Sequence, residues 1–132
     1  MKKSLKMPSK ALSLVVVVVV LMTSANASCA LSMREPWRIT AYCACRKCCG
    51  KWSDGRFASN RPVYVGGVAC NWLPFGTQVT IEGLGTYTVE DRGAKKYFGS
   101  KLDKKKALDI YFDDHAEARR FGVRYKRVMI GA

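Results

Sequence analysis

The chain has 132 residues, 48% of them hydrophobic, and sets 23 lysines and arginines against 10 aspartates and glutamates, for a formal charge of +13. That length holds one compact domain with a modest core, which excludes a deep cleft built between two domains. A single histidine excludes a metal site built on several histidines.

Residues 1–27 read as a secretory leader. Lys2, Lys3, Lys6 and Lys10 form a basic n-region, Ala11 to Met22 an apolar h-region with six consecutive valines, and Ala25-Asn26-Ala27 a cleavage site. The apolar stretch is about a dozen residues, short of the ~20 a spanning helix requires, so no transmembrane segment is expected in the mature chain. Cys29 lacks the large aliphatic residue that a lipoprotein signal places three positions earlier. Removing the four lysines of the leader from the chain's 23 basic residues leaves 19 against 10 acids, a formal +9. A cationic exported domain is drawn to anionic polymers of the periplasm, the cell envelope or the extracellular medium. Nucleic acid is set aside as a partner, because neither a binding motif nor aromatics interleaved on a basic face can be found. The run Lys104-Lys105-Lys106 reads as a solvated loop.

Residues 28–36 form a linker ending at Pro36, and the domain spans 37–132. Alternation of large with small or polar side chains predicts a first strand over 37–43. A loop over 44–62 is marked by Gly50, Asp54-Gly55 and Asn60, and its length suggests function. A second strand region over 63–70 carries Gly66-Gly67, the signature of a bulge or tight bend. After the turn Leu73-Pro-Phe-Gly76 come strands over 77–81 and 86–91, separated by a turn bracketed by Gly83 and Gly85. A basic loop over 92–106 leads to a strand over 107–112. Asp114 then caps a short helix with Glu117 three residues later, and Gly122 ends it. A last strand runs over 123–130. Six short strands with one helix predict an all-β domain, a closed or nearly closed barrel that leaves few exposed edges.

Six cysteines lie beyond the leader: Cys29, Cys43, Cys45, Cys48, Cys49 and Cys70. An even number in an oxidising compartment favours disulfides, with connectivity open. The C-x2-C spacing from Cys45 to Cys48 also suits a thiolate metal site. Disulfides are the expectation, with no resident metal and no cofactor.

Asp109 sits inside an apolar strand, where a carboxylate is depleted and must face water or a site. Asp91 ends an earlier strand, and Asp113 and Asp114 follow closely. Clustered carboxylates repel, so one of them can keep its proton near neutral pH and serve as a general acid. Tyr111 shares the strand face of Asp109, for contact with a ligand or for ordinary packing. His115 reads as an exposed residue in the first turn of the helix.

Ile39-Thr-Ala-Tyr42, Val68-Ala69, Pro74-Phe-Gly-Thr77, Val89-Glu-Asp91, Leu108-Asp-Ile-Tyr-Phe112 and His115-Ala-Glu-Ala118 through Phe121-Gly122 follow one another in a distinctive order. In that order and spacing the chain, over essentially all of 37–130, resembles the three-aspartate domain family of lytic transglycosylases and secreted cell-wall proteins. The resemblance implies a six-stranded double-psi β-barrel, with Asp91, Asp109 and Asp113 as the three aspartates and Asp109 as the catalytic one. It further implies an exported protein acting on peptidoglycan or another anionic envelope glycan. Asp109 would protonate the oxygen between N-acetylmuramic acid and N-acetylglucosamine, then act as base while the muramoyl 6-hydroxyl attacks, leaving a 1,6-anhydro sugar. The alternative is a non-catalytic barrel that binds wall glycan, and a cysteine-rich metal-binding domain stands third.

The chain departs from the family pattern at particular points. Asp91-Arg92-Gly93 replaces Asp-Thr-Gly, so Arg92 either neutralises Asp91 and Asp109 or binds an anionic part of the substrate such as a stem-peptide carboxylate. Phe57-Ala-Ser-Asn60 stands for Thr-Ala-Ser-Gly, Asn71 for a frequent aspartate, and the loop Cys70-Asn-Trp-Leu-Pro74 is about two residues short.

Overall fold

A computed structural model describes residues 35–131. The leader expected over 1–27, most of the 28–36 linker, and Cys29 lie outside the described residues. Seven strands form one mixed sheet: β1 (Trp37–Tyr42), β2 (Gly67–Ala69), β3 (Gln78–Ile81), β4 (Gly85–Asp91), β5 (Ala107–Tyr111), β6 (Arg124–Lys126) and β7 (Val128–Ile130). Their order across the sheet is β6-β1-β5-β2-β4-β3-β7. The domain is all-β with a few short helical segments, as the strand rhythm predicts. Among the described residues no helix is long and apolar enough to cross a membrane.

Two neighbouring pairs, β1 with β5 and β2 with β4, run parallel, while the other ladders are antiparallel. Period-two alternation sends Trp37 and Ile39 of β1, Val79 and Ile81 of β3, and Leu108 and Ile110 of β5 into one core with Val68, Val89 and Val128. Each such side chain contributes about 1.5–3 kcal/mol by leaving water, so this cluster anchors every ladder.

Two strand expectations change. Over 63–66 the chain turns instead of pairing: the Gly67 amide donates to the Tyr64 carbonyl at 3.2 Å, and Gly66 holds φ 117. The strand is thereby cut to three residues. The last strand breaks at Arg127, since β6 pairs with β1 and β7 with β3 on the far side of the sheet. Arg127 is fastened at that bend by two bonds from its guanidinium to Glu82, at 3.2 and 2.5 Å.

Both long loops contain structure. The first holds α1 (Arg46–Cys49) and a 3-10 turn (Gly50–Trp52), and the basic loop holds α2 (Lys95–Phe98). The expected helix is α3 (His115–Phe121), where Asp114 accepts a hydrogen bond from the Glu117 amide at 2.8 Å and Gly122 closes the helix at φ 66.

Candidate functional site

Strand register builds the site. Asp109 lies opposite Thr40 on one side and Ala69 on the other, and Ala69 in turn lies opposite Asp91. Thr40, Asp109, Ala69 and Asp91 therefore form one row across β1, β5, β2 and β4. The second carboxylate reaches this row through a bulge. Val68 pairs with Val89, but Ala69 pairs with Asp91, and Glu90 is skipped. Without that shift Glu90 would occupy the row and Asp91 would miss it.

The skipped Glu90 is buried at 2% exposure, a carboxylate that no local sequence pattern singles out. It accepts from Arg61 at 3.2 Å and Tyr64 at 3.3 Å, and its carbonyl accepts from the Ser59 amide at 3.0 Å. The bulge thus pins the 57–64 loop to the sheet. Asn60 in this loop holds φ 68, a region that asparagine tolerates better than most residues.

Asp109 accepts a hydrogen bond from the Thr40 hydroxyl at 2.7 Å. Burial pushes its carboxyl from 3.8 up to about 6 and the Asp91 charge adds to this, while the Thr40 bond and the Arg38 charge oppose it. Asp91 has a different setting. Its carboxylate accepts from the Tyr42 hydroxyl at 2.5 Å, the Ala58 amide at 2.9 Å and the Arg92 amide at 2.8 Å. Burial, followed by the Asp91 charge, raises the Tyr42 phenol far above its ordinary range, so Tyr42 is a fixed donor. Two neighbouring carboxyls are thus divided: one is tied into a hydrogen-bond web, and the other is poised to exchange a proton.

Both aspartates, with Ala69 and Tyr42, line a cavity of about 820 Å³. Phe57 and Phe98 form parts of its wall, and each rests against a glycine, Gly67 and Gly93 respectively, where a Cβ would collide with the ring. Trp52 and Tyr97 also line it while remaining 71% and 52% exposed. Broad, half-wet aromatic faces of this kind suit the apolar face of a sugar ring. Gly67→Ala is expected to displace the Phe57 ring at a cost of about 1–3 kcal/mol. A lowered urea midpoint checks this, and an unchanged midpoint would show that the ring has room to move.

The remaining sequence-predicted residues separate. Arg92 lines the cavity, but its guanidinium donates to the Cys70 carbonyl and lies 3.8 Å over the Phe75 ring. Its side chain bonds the Asp91 carbonyl at 3.3 Å, and neither aspartate carboxylate is paired with its guanidinium among the described residues. Tyr111 is buried at 4%, with Phe57 and Tyr42 edge-on at 5.6 and 5.7 Å, so it packs behind the wall and does not face the cavity. Asp113 is exposed beyond the end of β5 and hydrogen-bonds with the Tyr111 phenol, which burial, with Asp113, pushes up to about 12. Of the three aspartates, the fold brings two together.

Asn71 donates to the carbonyls of Gly93 and Gly99, at 3.0 and 2.7 Å, and accepts from the Gly93 amide at 2.8 Å. An aspartate there would lose both donor bonds, so the asparagine amide fastens the 93–99 segment beside the cavity.

Among the described residues no two cysteines stand at disulfide distance. Cys43, Cys45, Cys48, Cys49 and Cys70 are all free thiols, and the nearest pair of sulfurs, those of Cys43 and Cys45, is 3.0 Å apart, against about 2.05 Å for a bond. Cys70 is buried in the core, and Cys49 donates to the Cys43 carbonyl at 3.3 Å and lines the cavity. The other three converge on His115, whose Nδ1 lies 3.5, 3.3 and 3.5 Å from the sulfurs of Cys43, Cys45 and Cys48. His115 is therefore half-buried against thiols and not a free surface residue.

No protein-family model matches this chain, and no curated protein is significantly similar to it.

Proposed function

We propose that the protein is an exported lytic transglycosylase that cleaves peptidoglycan between N-acetylmuramic acid and N-acetylglucosamine, with Asp109 as the single acid and base. The observation that carries this reading is the pairing of a buried Asp109, whose carboxyl is pushed up to about 6, with a hydrogen-bonded Asp91 in the lining of one aromatic-walled cavity. Asp109 donates its proton to the glycosidic oxygen and takes one back from the attacking 6-hydroxyl. Asp91, held by three donors, supplies fixed negative charge toward the oxocarbenium-like centre. Trp52 and Tyr97 offer stacking faces for flanking sugars, and the basic surface draws the domain to anionic envelope polymer.

This reading takes the sheet as a six-stranded double-psi β-barrel in which β6 and β7 count as one bent strand. Supporting it are the two parallel pairs and the single residue, Arg127, between the strands at opposite ends of the sheet order.

Purified protein incubated with peptidoglycan is expected to release anhydromuropeptides detectable by mass spectrometry. Sedimentation with the glycan but no anhydro product, where a known transglycosylase releases it, would leave the binding-barrel alternative in place of the enzyme.

A further inference from the structure

We propose that Cys43, Cys45, Cys48 and His115 form a structural zinc site that fastens the wall of the cavity to the barrel strands. The topology brings the four ligands together. β1 and β5 are parallel and in register at Tyr42 and Tyr111, so the chain leaves both strands at the same edge of the sheet. One exit leads at once to Cys43, and the other, past the helix cap at Asp114, to His115. The α1 turn carries Cys48, with Cys45 as its N-cap.

The separations fit one ion. Zinc–sulfur bonds of about 2.3 Å and zinc–nitrogen bonds of about 2.0 Å in a tetrahedron require about 3.7 Å between sulfurs and about 3.5 Å from sulfur to nitrogen. The three sulfur–nitrogen distances are 3.3–3.5 Å, the Cys43–Cys48 pair is at 3.6 Å, and all four ligand atoms lie within 4.8 Å of one another. The Cys43–Cys45 pair, at 3.0 Å, is the tightest and lies well inside the tetrahedral edge.

A second, independent feature is the backbone around the sulfurs. The amides of Cys48 and Cys49 both donate to the Cys45 carbonyl, at 3.1 and 2.9 Å, closing a tight turn that holds the sulfurs of Cys45 and Cys48 on one side, the arrangement C-x2-C spacing gives in zinc sites. The set also discriminates among cysteines. Cys49, adjacent to Cys48, turns its thiol to a carbonyl, and Cys70 is in the core. Four protein donors close the coordination sphere, which makes the site structural and leaves no position for a metal-bound water. Zinc entering it displaces the three thiol protons to solvent. The resulting complex carries one net negative charge beside Arg46 and Lys47.

Among the described residues no disulfide holds the 44–52 segment, yet Ala44, Cys48, Cys49 and Trp52 line the cavity. The ion would supply that fastening. The inference stands independently of any glycan-cleaving activity.

The test uses the full chain purified with reductant and loaded with Zn2+ or Co2+. One equivalent of zinc is expected by elemental analysis, and the Co2+ form should show the visible bands and thiolate charge-transfer absorption of a tetrahedral site with three sulfur ligands and one nitrogen. Cys45→Ser and His115→Ala should each weaken Zn2+ binding by at least about 10-fold, whereas Cys49→Ser and Cys70→Ser should bind like the parent. Should a ligand variant fail to fold, the spectrum of the unaltered protein decides alone. Absence of a tetrahedral cobalt spectrum, equal loss in Cys49→Ser and Cys45→Ser, or a disulfide within Cys43, Cys45 and Cys48 in exported protein would overturn the proposal.

Discussion

Asp109→Asn is expected to abolish release of anhydro sugars while making the protein more stable at neutral pH. The two effects share one cause. Burial raises the folded-state value of Asp109 to about 6 from an ordinary 3.8. Between those values the folded protein holds a proton that the unfolded chain has released, so stability falls as pH rises through that window, and the penalty is complete above pH 6. A shift of this size corresponds to an upper value of roughly 3 kcal/mol, trimmed to about 2 by residual solvent access. Asparagine never ionises, keeps a carbonyl to accept the Thr40 hydroxyl, and so escapes the penalty. Urea midpoints of the two proteins should converge near pH 4 and separate by pH 7. Parallel curves would mean that Asp109 is not the group under strain, and undiminished cleavage by the variant would remove it as the acid. Cleavage by the parent protein should itself decline above pH 6, by about tenfold per unit, as the proton is lost.

That trade between stability and function makes the strand reading of Asp109 informative. An aspartate flanked by Leu108 and Ile110 in a strand is locally inconsistent, and local inconsistency tends to mark sites. The strands themselves, the helix with its Asp114 cap and the Gly122 stop were legible because they depend on neighbouring residues. What escaped depends on pairing between distant segments. No local pattern says that Glu90 is skipped in the β2–β4 ladder, although that skip decides which carboxylate meets Asp109. Asp113, grouped with the others by proximity in sequence, is carried beyond the end of β5, where its neighbour is Tyr111. The thiol cluster was half legible: the cysteine spacing pointed to either disulfides or metal. Its fourth member is 67 residues from Cys48, and only the parallel pairing of β1 with β5 makes them neighbours. Arg92 shows the same limit. Its charge suggested neutralisation of the aspartates, but its length lets it reach the Cys70 carbonyl and the Phe75 ring instead.

Ala69→Val tests whether the row of register partners is the place where chemistry occurs. Ala69 is only 2% exposed, lines the cavity, and stands between Asp109 and Asp91 in the ladders. A small side chain there leaves the space above the two carboxyls open for a glycosidic oxygen. Valine suits a strand by propensity, so the backbone has no reason to reject it, but its two added methyl groups project between the carboxyls. The expected cost to stability is about 1–3 kcal/mol from overpacking. The expected loss in kcat/KM is larger, on the order of 10²-fold, because a displacement near 1 Å at the reacting atoms spoils alignment. Ala69→Gly separates the two effects: it keeps the space open and should retain most activity, while losing about 1 kcal/mol through added backbone freedom. If the valine variant cleaves glycan like the parent protein, the substrate oxygen does not sit over this row, and the acid must be sought elsewhere along the cavity. If it loses activity while its zinc content and fold are unchanged, then the bulge at Val68 and Ala69, which sets Asp91 in register, is the feature that assembles the pair.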